Sequence, residues 1–560
     1  MNWNLSFLKN KKTIVGGLAV VAAFSLLSFT SGSQLFNAAK NMELFAAVLK
    51  EVNTYYVDPV SPNKMTKKAI DAMCKTLDPY TVLLAENDIE DYRLRTSSQH
   101  ADIGILFLKM GDSVFVSMVK QNQPAVKAGL QCGDRIVEIS GESLSGKSNE
   151  EINKMLVGSP GTVVNIKVFS ASTNETTTKN IVREEATEKW VPYYGLLDDE
   201  TGYIQFTSFM EHGSKEINDA IDSLKRQSHN GLKSVVLDLR SNGGGLLMEA
   251  VNIVNLFVPK GTKIVDTRGR LTEAQRSYAT LNEMKDGKIK VAILTNHNSA
   301  SASEIVSGCM QDLDRGIVVG TKSYGKGLVQ VTKPISYGNQ IKVTISKYYT
   351  PAGRCIQVLD YSHRNGDGSV GKIPDSLKHP FKTKAGRTVY DGGGIEPDVL
   401  MPDENISLVT KTLKEKNLLF GFAVKYFSLH PTTNSTAKDF SMNENDFNDF
   451  VKYLSNKPFS YNTNTEKKLE QVKKSLTKEN YIAQFDAEWR ALEQKVKHDN
   501  EKDVLKNKTE LMKELNRIIA GFYFHEKGEK ENTFKTDDDL QEALKVLHDD
   551  VRYKQLLSMK

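Results

Sequence analysis

The stretch Asn298-Ser299-Ala300-Ser301-Ala302-Ser303-Glu304 lies between an apolar strand pattern at residues 291–295 and an apolar helix pattern that ends near residue 311. The first turn of a helix carries backbone N–H groups without intrahelical partners, and such groups can stabilise an oxyanion. Ala300 and Ala302 are small enough to let a substrate backbone approach closely. The stretch therefore predicts a reactive serine at a strand-to-helix junction of an α/β core.

A lysine that could serve as the base follows in Ser323-Tyr324-Gly325-Lys326-Gly327. A serine hydroxyl is a poor nucleophile until a base removes its proton, and a lysine kept neutral by desolvation is one such base. Its pKa would have to fall from about 10.4 towards 7 or 8, which requires burial without a carboxylate partner. The sequence predicts a buried amine within hydrogen-bond reach of the serine; the alternative is an ordinary surface lysine in a turn.

Two further features accompany the serine and the lysine. The loop Asn242-Gly243-Gly244-Gly245 follows a strand and precedes a helix, but it lacks the G-x-G-x-x-G and G-K-[ST] forms of nucleotide-binding loops. Gln330 lies four residues after Lys326, so on a strand both side chains would face the same way and the amide could orient the amine. A polar strand residue that meets solvent is the alternative interpretation of Gln330.

Taken together, Asp238 to Gly245, Ser299 to Glu304 and Gly325 to Gln330 resemble the motifs of the carboxyl-terminal processing proteases, which are tail-specific, PDZ-containing serine proteases. The order of the blocks and the 25-residue separation of Ser301 and Lys326 carry the resemblance, which extends from about residue 41 to residue 403. It implies a Clp/crotonase-like core, with Ser301 as nucleophile, Lys326 as base and Gln330 as third member. It also implies an oxyanion site made by the N–H of Ala302 and that of either Gly243 or Gly244.

Residues 101–184 read as short strands punctuated by glycines, with one helix near residues 149–157, and resemble a PDZ module. PDZ domains bind a peptide C-terminus by adding it as a strand to a sheet edge. The predicted groove is formed by Ile103, Gly104, Ile105, Leu106 and Phe107, together with Ile152 and Leu156 of the helix. Ordinary core packing is the alternative for these apolar residues, and Leu106 stands where the family commonly has a small residue.

From Trp190 onward, strand and helix patterns alternate, and nearly continuous apolar strands such as residues 235–237 predict a sheet covered on both faces. The predicted fold class is multidomain α+β, with an α/β protease core, an inserted PDZ-like β module, and helical N- and C-terminal regions. Residues 260–285 are expected to form a cap and residues 366–387 a surface loop. The predicted segments are 1–32 (signal peptide or membrane anchor), 33–97 (helical), 98–185 (PDZ-like), 186–405 (protease core) and 406–560 (helical).

Lys9, Lys11 and Lys12 precede an apolar run of 17 residues from Thr13 to Phe29, which predicts an export signal or an uncleaved anchor rather than a core helix. The protein is therefore expected to be exported, in the periplasm, either free or held at the inner membrane. The chain of 560 residues has a net charge of only +5 with interspersed lysines and glutamates, so nucleic acid is not an expected partner.

No cofactor and no metal are expected, because the four cysteines are widely spaced and His525-Glu526-Lys527-Gly528-Glu529 lacks the second histidine of a zinc-protease motif. The expected partners are protein or peptide substrates bound through their C-termini, with a homo-oligomer or an adaptor protein also compatible with the sequence. His297 suggests a serine–histidine pair, but no matching aspartate accompanies it. Glu304 and Asp312 are expected to stabilise the helix start or to pair with Arg240 or Arg315.

Two other functions remain open at the level of sequence. A non-catalytic PDZ adaptor or scaffold of the cell envelope would keep the binding module and have a silent core. A crotonase-like hydratase would share the fold, but it would need an adenine-binding pocket and leaves the PDZ segment unexplained.

Overall fold

The computed structural model of the protein describes residues 36–86, 101–170, 172–185, 189–403, 405–496 and 499–558. These residues fall into two compact units, one made of the chain up to Glu86 with Thr332–Val343 and one made of the rest. The predicted signal or anchor at residues 1–32 lies outside the described residues. From residue 36 onward, none of the described helices combines the length and the apolar character needed to cross a membrane.

The first unit consists of helix α1 (residues 36–55), helix α2 (Pro62–Lys75) and strand β1 (Val82–Leu84), which pairs antiparallel with residues 340–342. Helix α2 begins at a favourable place, because Ser61 caps it and Pro62 occupies its first turn. The helical lead-in that the sequence predicts is present.

The PDZ-like segment is a five-stranded antiparallel path, β3-β4-β5-β7-β8, with β6 paired to β5. Its elements are β2 (Ala101–Asp102), β3 (Ile105–Met110), β4 (Ser113–Val119), α3 (Pro124–Lys127), β5 (Arg135–Ile139), β6 (Glu142–Ser143), α4 (Asn149–Leu156), β7 (Val163–Phe169), β8 (Thr176–Val182) and β9 (Glu184–Glu185). A capping box between Ser148 and Glu151 fixes the start of α4. Strand β3 lies at the end of the sheet, so one of its edges pairs with no strand of the described chain.

The protease core is a six-stranded sheet of order β10-β11-β12-β15-β16-β23, in which β10 is antiparallel to β11 and all other neighbours are parallel. Its elements are β10 (Tyr193–Leu196), β11 (Thr201–Gln205), α5 (Gly213–Gln227), β12 (Ser234–Asp238), α6 (Leu247–Asn255), β15 (Lys290–Thr295), α7 (Ala302–Asp312), β16 (Ile317–Gly320) and β23 (Val399–Leu400). The strand predicted at residues 291–295 and the predicted helix end near residue 311 are confirmed to within one residue.

The sequence did not predict the strands in segments that are polar and rich in turns. The remaining strands are β13 (Lys263–Gly269), β14 (Arg276–Ala279), β17 (Leu328–Pro334), β18 (Gln340–Tyr349), β19 (Leu359–Arg364), β20 (Val370–Lys372), β21 (Pro380–Lys382) and β22 (Thr388–Tyr390). The expected cap at residues 260–285 forms the hairpin β13–β14, and β13 also pairs with β18. The expected surface loop at residues 366–387 contains β20, which pairs with β19, and most of the hairpin β21–β22. The expectation of a surface loop is wrong in part, because β20 and β21 lie within it. The cap stays a prediction. Backbone pairing, unlike apolar periodicity, leaves little trace in short polar strands.

The C-terminal region is helical, as predicted. Its helices are α8 (Leu408–Glu415), α9 (Leu418–Leu429), α10 (Glu444–Ser455), α11 (Asn464–Lys478), α12 (Asp486–Val496), α13 (Asn500–Lys506), α14 (Lys508–Thr533), α15 (Asp538–His548) and α16 (Asp550–Ser558). Helix α14 is kinked at His525, whose φ is 59° and ψ is −163°.

These helices have two different partners. Apolar residues of α8, α9, α10, α13 and α14 share one continuous core with the PDZ strands. Helices α15 and α16 instead cover one face of the protease sheet, packing on Val236 and Leu294, while α5, α6 and α7 cover the opposite face through Val235 and Ile293. The predicted two-sided burial of the sheet is therefore correct, with its second cover supplied by the end of the chain.

Candidate active site

The site lies where three neighbouring parallel strands end. Strands β12, β15 and β16 are adjacent in the sheet, so the loops at residues 239–246, 296–301 and 321–327 leave the same edge. Ligand sites of open α/β sheets form at the carboxyl ends of the strands. The sheet thus brings together the glycine loop, the serine stretch and the Gly-Lys-Gly segment, which are far apart in sequence.

Ser301 has an unusual backbone conformation, with φ of 58° and ψ of −111°, immediately before α7 begins. A non-glycine residue at positive φ is strained, and such strain persists only where the surroundings hold it. A sharp strand-to-helix turn of this kind is how other hydrolase folds present a serine hydroxyl above the sheet. The Ser301 carbonyl accepts hydrogen bonds from the N–H groups of Glu304 and Ile305, and from the Tyr348 hydroxyl at 3.2 Å.

The Glu304 carboxylate joins the serine loop to the lysine loop. Its Oε2 accepts hydrogen bonds from the backbone N–H of Ser301 at 2.8 Å and from that of Lys326 at 2.9 Å. Its Oε1 accepts from the Ser323 hydroxyl and the Gly325 N–H, both at 2.6 Å. Because both bind the same oxygen, the backbone nitrogens of Ser301 and Lys326 cannot lie further apart than the sum of these two N···O distances.

Complete burial raises the pKa of the Glu304 carboxyl above its ordinary value, and the four hydrogen bonds oppose that rise. The expectation that Glu304 stabilises the helix start is confirmed, because its carboxylate binds the residue that precedes α7. Its second task, holding the loop that carries Lys326, was not foreseen.

The glycine loop lies against the serine turn. Gly244 has φ of 100°, and a Cβ placed there would lie 2.8 Å from the Ser301 Cβ and 2.9 Å from the Ala302 nitrogen. The Gly244 N–H donates to the Asn242 Oδ1 at 2.9 Å, whereas the N–H groups of Gly243 and Ala302 have no hydrogen bond to any described residue. The N–H groups of Ala302 and Gly243 are therefore available to a ligand.

Asn242 is a residue that the sequence argument passed over. It is fully buried, its side-chain amide donates to the Phe206 carbonyl, and its own carbonyl accepts from the Ala300 N–H and the Ser303 hydroxyl. It therefore ties the glycine loop to the serine stretch on one side and to β11 on the other. An asparagine between an arginine-containing strand end and a run of glycines was the available signal, since buried amides are kept where backbone groups need partners.

Lys326 is partly buried and lies in the loop, two residues before β17 begins, whereas Gln330 lies within the strand. The prediction that both side chains share one face of a strand is therefore wrong, because strand alternation does not extend into the preceding loop. The Gln330 amide nitrogen donates to the Thr344 hydroxyl at 3.1 Å, which fixes the orientation of the amide. The roles of Lys326 and Gln330 remain predictions.

The predicted ion pairs of Asp312 need correction. Asp312 pairs with Arg354 at 2.7 Å, and both side chains are buried. Arg315 donates instead to backbone carbonyls, among them that of Phe257, and Arg240 pairs with other carboxylates. The sequence did not identify Arg354 as the partner of Asp312. Arg354 lies in a segment whose sequence has no clear helix or strand pattern. His297 lies exposed in the loop before the serine.

The seven residues predicted for the PDZ groove divide by exposure. Ile103, Ile152 and Leu156 are buried in the apolar core, whereas Ile105 and Phe107 are partly buried against it and Leu106 is 53% exposed. Gly104 has φ of 77°, and its N–H donates to the Asp102 carboxylate at 2.9 Å. The structure thus gives the buried three a packing role, and a role for any of the seven in peptide binding remains a prediction.

The titratable side chains of the described residues are the groups that could form a metal site. Within the described ranges, no three or more His, Cys, Asp or Glu residues are arranged to hold a metal ion. Cys74, Cys132 and Cys309 are buried and unpaired, and Cys355 is partly exposed. Burial gives the first three the role of small core residues.

Comparison with known proteins gives three matches to family models. Residues 101–180 match the PDZ domain, residues 200–360 match peptidase family S41, and residues 409–547 match the C-terminal helical domain of probable PDZ-proteases. These matches define a serine-type peptidase with a PDZ domain, and they confirm the predicted fold class.

Individual relatives narrow the assignment. A "Probable CtpA-like serine protease" of Staphylococcus aureus is 34% identical over 351 residues, which cover 61% of this chain and 69% of the relative. A "Carboxy-terminal-processing protease" of Bartonella bacilliformis is 33% identical over 323 residues, which cover 57% of this chain and 74% of the relative. The chain therefore belongs to the CtpA-like carboxy-terminal-processing serine proteases of peptidase family S41.

The photosystem II D1 C-terminal processing protease, whose structure is solved, is 25% identical to this chain. The match covers 64% of this chain and 93% of that protease chain. Its TM-score is 0.35, which is too low to bear on the arrangement of the domains described above.

Proposed function

We propose that this protein is an endopeptidase in which Ser301 is the nucleophile and Lys326 the general base, and that it cleaves exported proteins near their C-termini. The single observation that supports this most strongly is the shared Glu304 Oε2, which binds the backbone N–H of both residues. A carboxylate that holds two loops from different strand ends side by side has little purpose unless the residues on those loops act together.

The proposed reaction is acyl transfer in two steps. The Ser301 hydroxyl attacks the scissile carbonyl while the Lys326 amine takes its proton and then returns it to the leaving amine, so that an ester to Ser301 forms and the peptide bond breaks. Water then hydrolyses the ester with the same amine as base. Gln330, held through Thr344, orients the amine.

The developing oxyanion is stabilised by the N–H of Ala302, at the start of α7, and by that of Gly243. The N–H of Gly244 joins them only if Asn242 releases it.

Substrate capture is assigned to the PDZ-like segment. The free edge of β3 lies at the end of its sheet, where a substrate C-terminus can add as a strand beside Ile105 and Phe107, with the backbone near Gly104 and Leu106 receiving the carboxylate. Helices of the C-terminal region pack on the same module, because Phe115 of β4 contacts Phe420 of α9 with ring centroids 6.4 Å apart.

The lysine-flanked apolar run at residues 13–29 supports export and either cleavage or retention as an inner-membrane anchor. We assign the enzyme to the periplasmic side of the cell envelope on this basis. No cofactor or metal takes part in the proposed chemistry.

The test of the catalytic pair is cleavage of an unfolded protein with a C-terminal tag by purified enzyme. Ser301→Ala and Lys326→Ala should each lose cleavage, whereas Lys322→Ala should keep it, since Lys322 is partly exposed and pairs with Glu396. Wild-type activity should rise towards alkaline pH, since only an uncharged amine accepts a proton. Unchanged cleavage by either active-site variant would overturn the assignment, and binding without any cleavage by the wild type would favour an adaptor.

The test of the PDZ role uses two forms of one substrate peptide, with a free and with an amidated C-terminus. Amidation should raise KM about tenfold or more, because the carboxylate is the group that the loop of a PDZ domain receives. Equal KM values for the two forms would exclude C-terminal recognition while leaving the chemistry of Ser301 intact.

A further inference from the structure

We propose that Asp537 and Asp539, which belong to the helical C-terminal region, are positioning residues for the proposed active site and act on the glycine loop through Arg240. The inference rests on the proposed function, because it concerns the geometry in which Ser301 reacts. It makes the C-terminal helical region a working part of the catalytic centre rather than an appendage.

Arg240 is held by three carboxylates from two distant parts of the chain. Its Nη1 donates to Asp537 at 2.8 Å and to Asp539 at 3.1 Å, and its Nη2 donates to Asp537 at 2.6 Å and to Asp238 at 2.7 Å. Its Nε donates to Asp238 at 3.0 Å. A guanidinium has five N–H donors, and all five are used here.

The cluster is too enclosed for water to replace these partners easily. The Arg240 side chain is 18% exposed and that of Asp537 is 13% exposed. The remaining carboxylate, Asp238, is already shared, since the Tyr203 hydroxyl donates to it at 2.6 Å and the Lys530 amine lies 3.8 Å away. Without the two C-terminal carboxylates, two buried cations would depend on one anion, and an unbalanced buried charge is strongly unfavourable.

Arg240 lies at the start of the chain segment that forms the oxyanion loop. The next residue, Ser241, is at positive φ (59°), and its N–H donates to the Asn296 side chain at 2.8 Å. Asn242 follows and makes the contacts to the serine stretch described above. A shift of the Arg240 guanidinium therefore moves the strained turn at Ser241, which lies two residues before Gly243.

The experiment compares Asp537→Asn with the neighbouring Asp538→Asn in the full-length enzyme. Asp537 also caps α15 by accepting from the Leu540 N–H at 3.1 Å, and asparagine keeps that cap while removing the charge. We expect kcat of Asp537→Asn to fall about tenfold or more with KM within about twofold, which is the pattern of a lost transition-state interaction. Asp538 is exposed, and its variant should match the wild type.

A second readout separates positioning from folding. The rate at which a fluorophosphonate labels Ser301 should fall in parallel with kcat, because labelling needs the same oxyanion donors, while far-UV circular dichroism stays unchanged. Arg240→Gln should lower kcat to a similar degree, and adding Asp537→Asn to it should lower kcat little further. If Asp537→Asn does not fold, Asp539→Asn, which removes one hydrogen bond and no cap, should still lower kcat about threefold at unchanged KM.

The outcomes distinguish this inference from the proposed function. A wild type without Ser301-dependent cleavage would overturn both. Full kcat and full labelling rate in folded Asp537→Asn, or in Asp539→Asn if the first does not fold, would overturn only the positioning role of the C-terminal carboxylates.

Discussion

A single buried carboxylate, that of Glu304, makes most of the contacts that organise the candidate active site. Glu304 accepts four hydrogen bonds from two loops, three from backbone N–H groups and one from a hydroxyl. Hydrogen bonds from several N–H groups can keep a buried carboxylate charged. The Glu304 carboxylate thus holds the strained turn at Ser301, and the surrounding hydrogen-bond donors in turn stabilise the buried carboxylate.

Glu304→Gln should unfold at lower denaturant concentration and lose cleavage. Either orientation of the amide places an NH2 group against two donors, and each unsatisfied buried group costs about 1 to 3 kcal/mol, so we expect a loss of about 2 to 4 kcal/mol. Urea unfolding measures it. The matched variant Glu396→Gln, whose carboxylate is 65% exposed and pairs with Lys322, should lose less than about 1 kcal/mol. Equal losses for the two would contradict the role given to Glu304.

Gly244→Ala should lower kcat by about 100-fold, because an added Cβ would lie within 3 Å of three atoms of the serine turn and push the glycine loop, which carries the proposed oxyanion donor, away from it. Gly243→Ala should do much less harm, since a Cβ there meets no atom within 4 Å. Steady-state kinetics on one peptide substrate compares the two. A larger loss of kcat for Gly243→Ala would mean that Gly243, rather than Gly244, lies against the Ser301 turn.

At the scale of elements, helix α14 anchors the PDZ strands. Its Phe522 is buried, stacks with Phe420 and Phe427 at centroid distances of 5.5 and 5.6 Å, and would lie 2.8 Å from a Cβ at Gly133. The helix therefore shares a core with the PDZ strands and fixes the PDZ segment in place.

Phe522→Ala should destabilise the protein by about 4 kcal/mol, the range expected when a buried phenylalanine leaves a cavity in a core that cannot collapse. Thermal and urea unfolding measure the change. Leu505→Ala in α13 is the control, because Leu505 is 51% exposed and its truncation should stay within about 0.5 kcal/mol. A loss below about 1 kcal/mol for Phe522→Ala would show that α14 and the PDZ strands do not share a core.

The end of β12 gives the protein a sensitivity to acid. Burial alone would raise the pKa of the Asp238 carboxyl, but the guanidinium of Arg240 and its hydrogen bonds outweigh burial and hold the pKa below the ordinary value. A carboxyl whose pKa is lower in the folded state contributes stability that is present above its unfolded pKa of about 4 and is lost as the pH falls towards the folded value.

The urea midpoint of the wild type should therefore fall as the pH is lowered from 5 to 3, and Asp238→Asn should show a shallower dependence over the same interval. A series of urea titrations at fixed ionic strength provides the test. The same slope in both proteins would mean that Asp238 takes up its proton at the same pH whether the chain is folded or unfolded.

For the molecule as a whole, the C-terminal region completes two cores rather than forming one of its own. Helices α8 to α10 with α13 and α14 share the core of the PDZ strands, and α15 and α16 close the second face of the protease sheet. Removing these helices would expose apolar strands such as residues 234–238 to water on one face.

A chain that ends at residue 405 should consequently fail to give a cooperative unfolding transition and should bind a hydrophobic dye, as partly packed states do. Near-UV circular dichroism and dye fluorescence against the full-length protein measure this. A truncated chain with a sharp transition near the wild-type temperature would show that the helical region is an independent domain.

The sequence predicted the elements of the protease core and of the PDZ-like segment well, because both rely on apolar periodicity and on glycines at turns. It did not predict the hairpin β13–β14 or the strands between residues 359 and 390, where short polar strands depend on backbone pairing. Within the site, the positions of Ser301 and the glycine loop between a strand and a helix were predicted from the sequence. Asn242 and the second task of Glu304 were not predicted, because Asn242 depends on a partner 61 residues away and Glu304 on one 22 residues away.

By itself, the order of apolar strands and helices determined an α/β core with a serine at the start of a helix, since periodicity and helix-start chemistry are local properties of the chain. Only the tertiary structure decided which strands are neighbours, and hence that the loops of Gly243, Ser301 and Lys326 leave one edge of the sheet. It alone also joined Arg240 to Asp537, because a buried guanidinium takes whichever carboxylates the packing brings within reach, at any distance along the sequence.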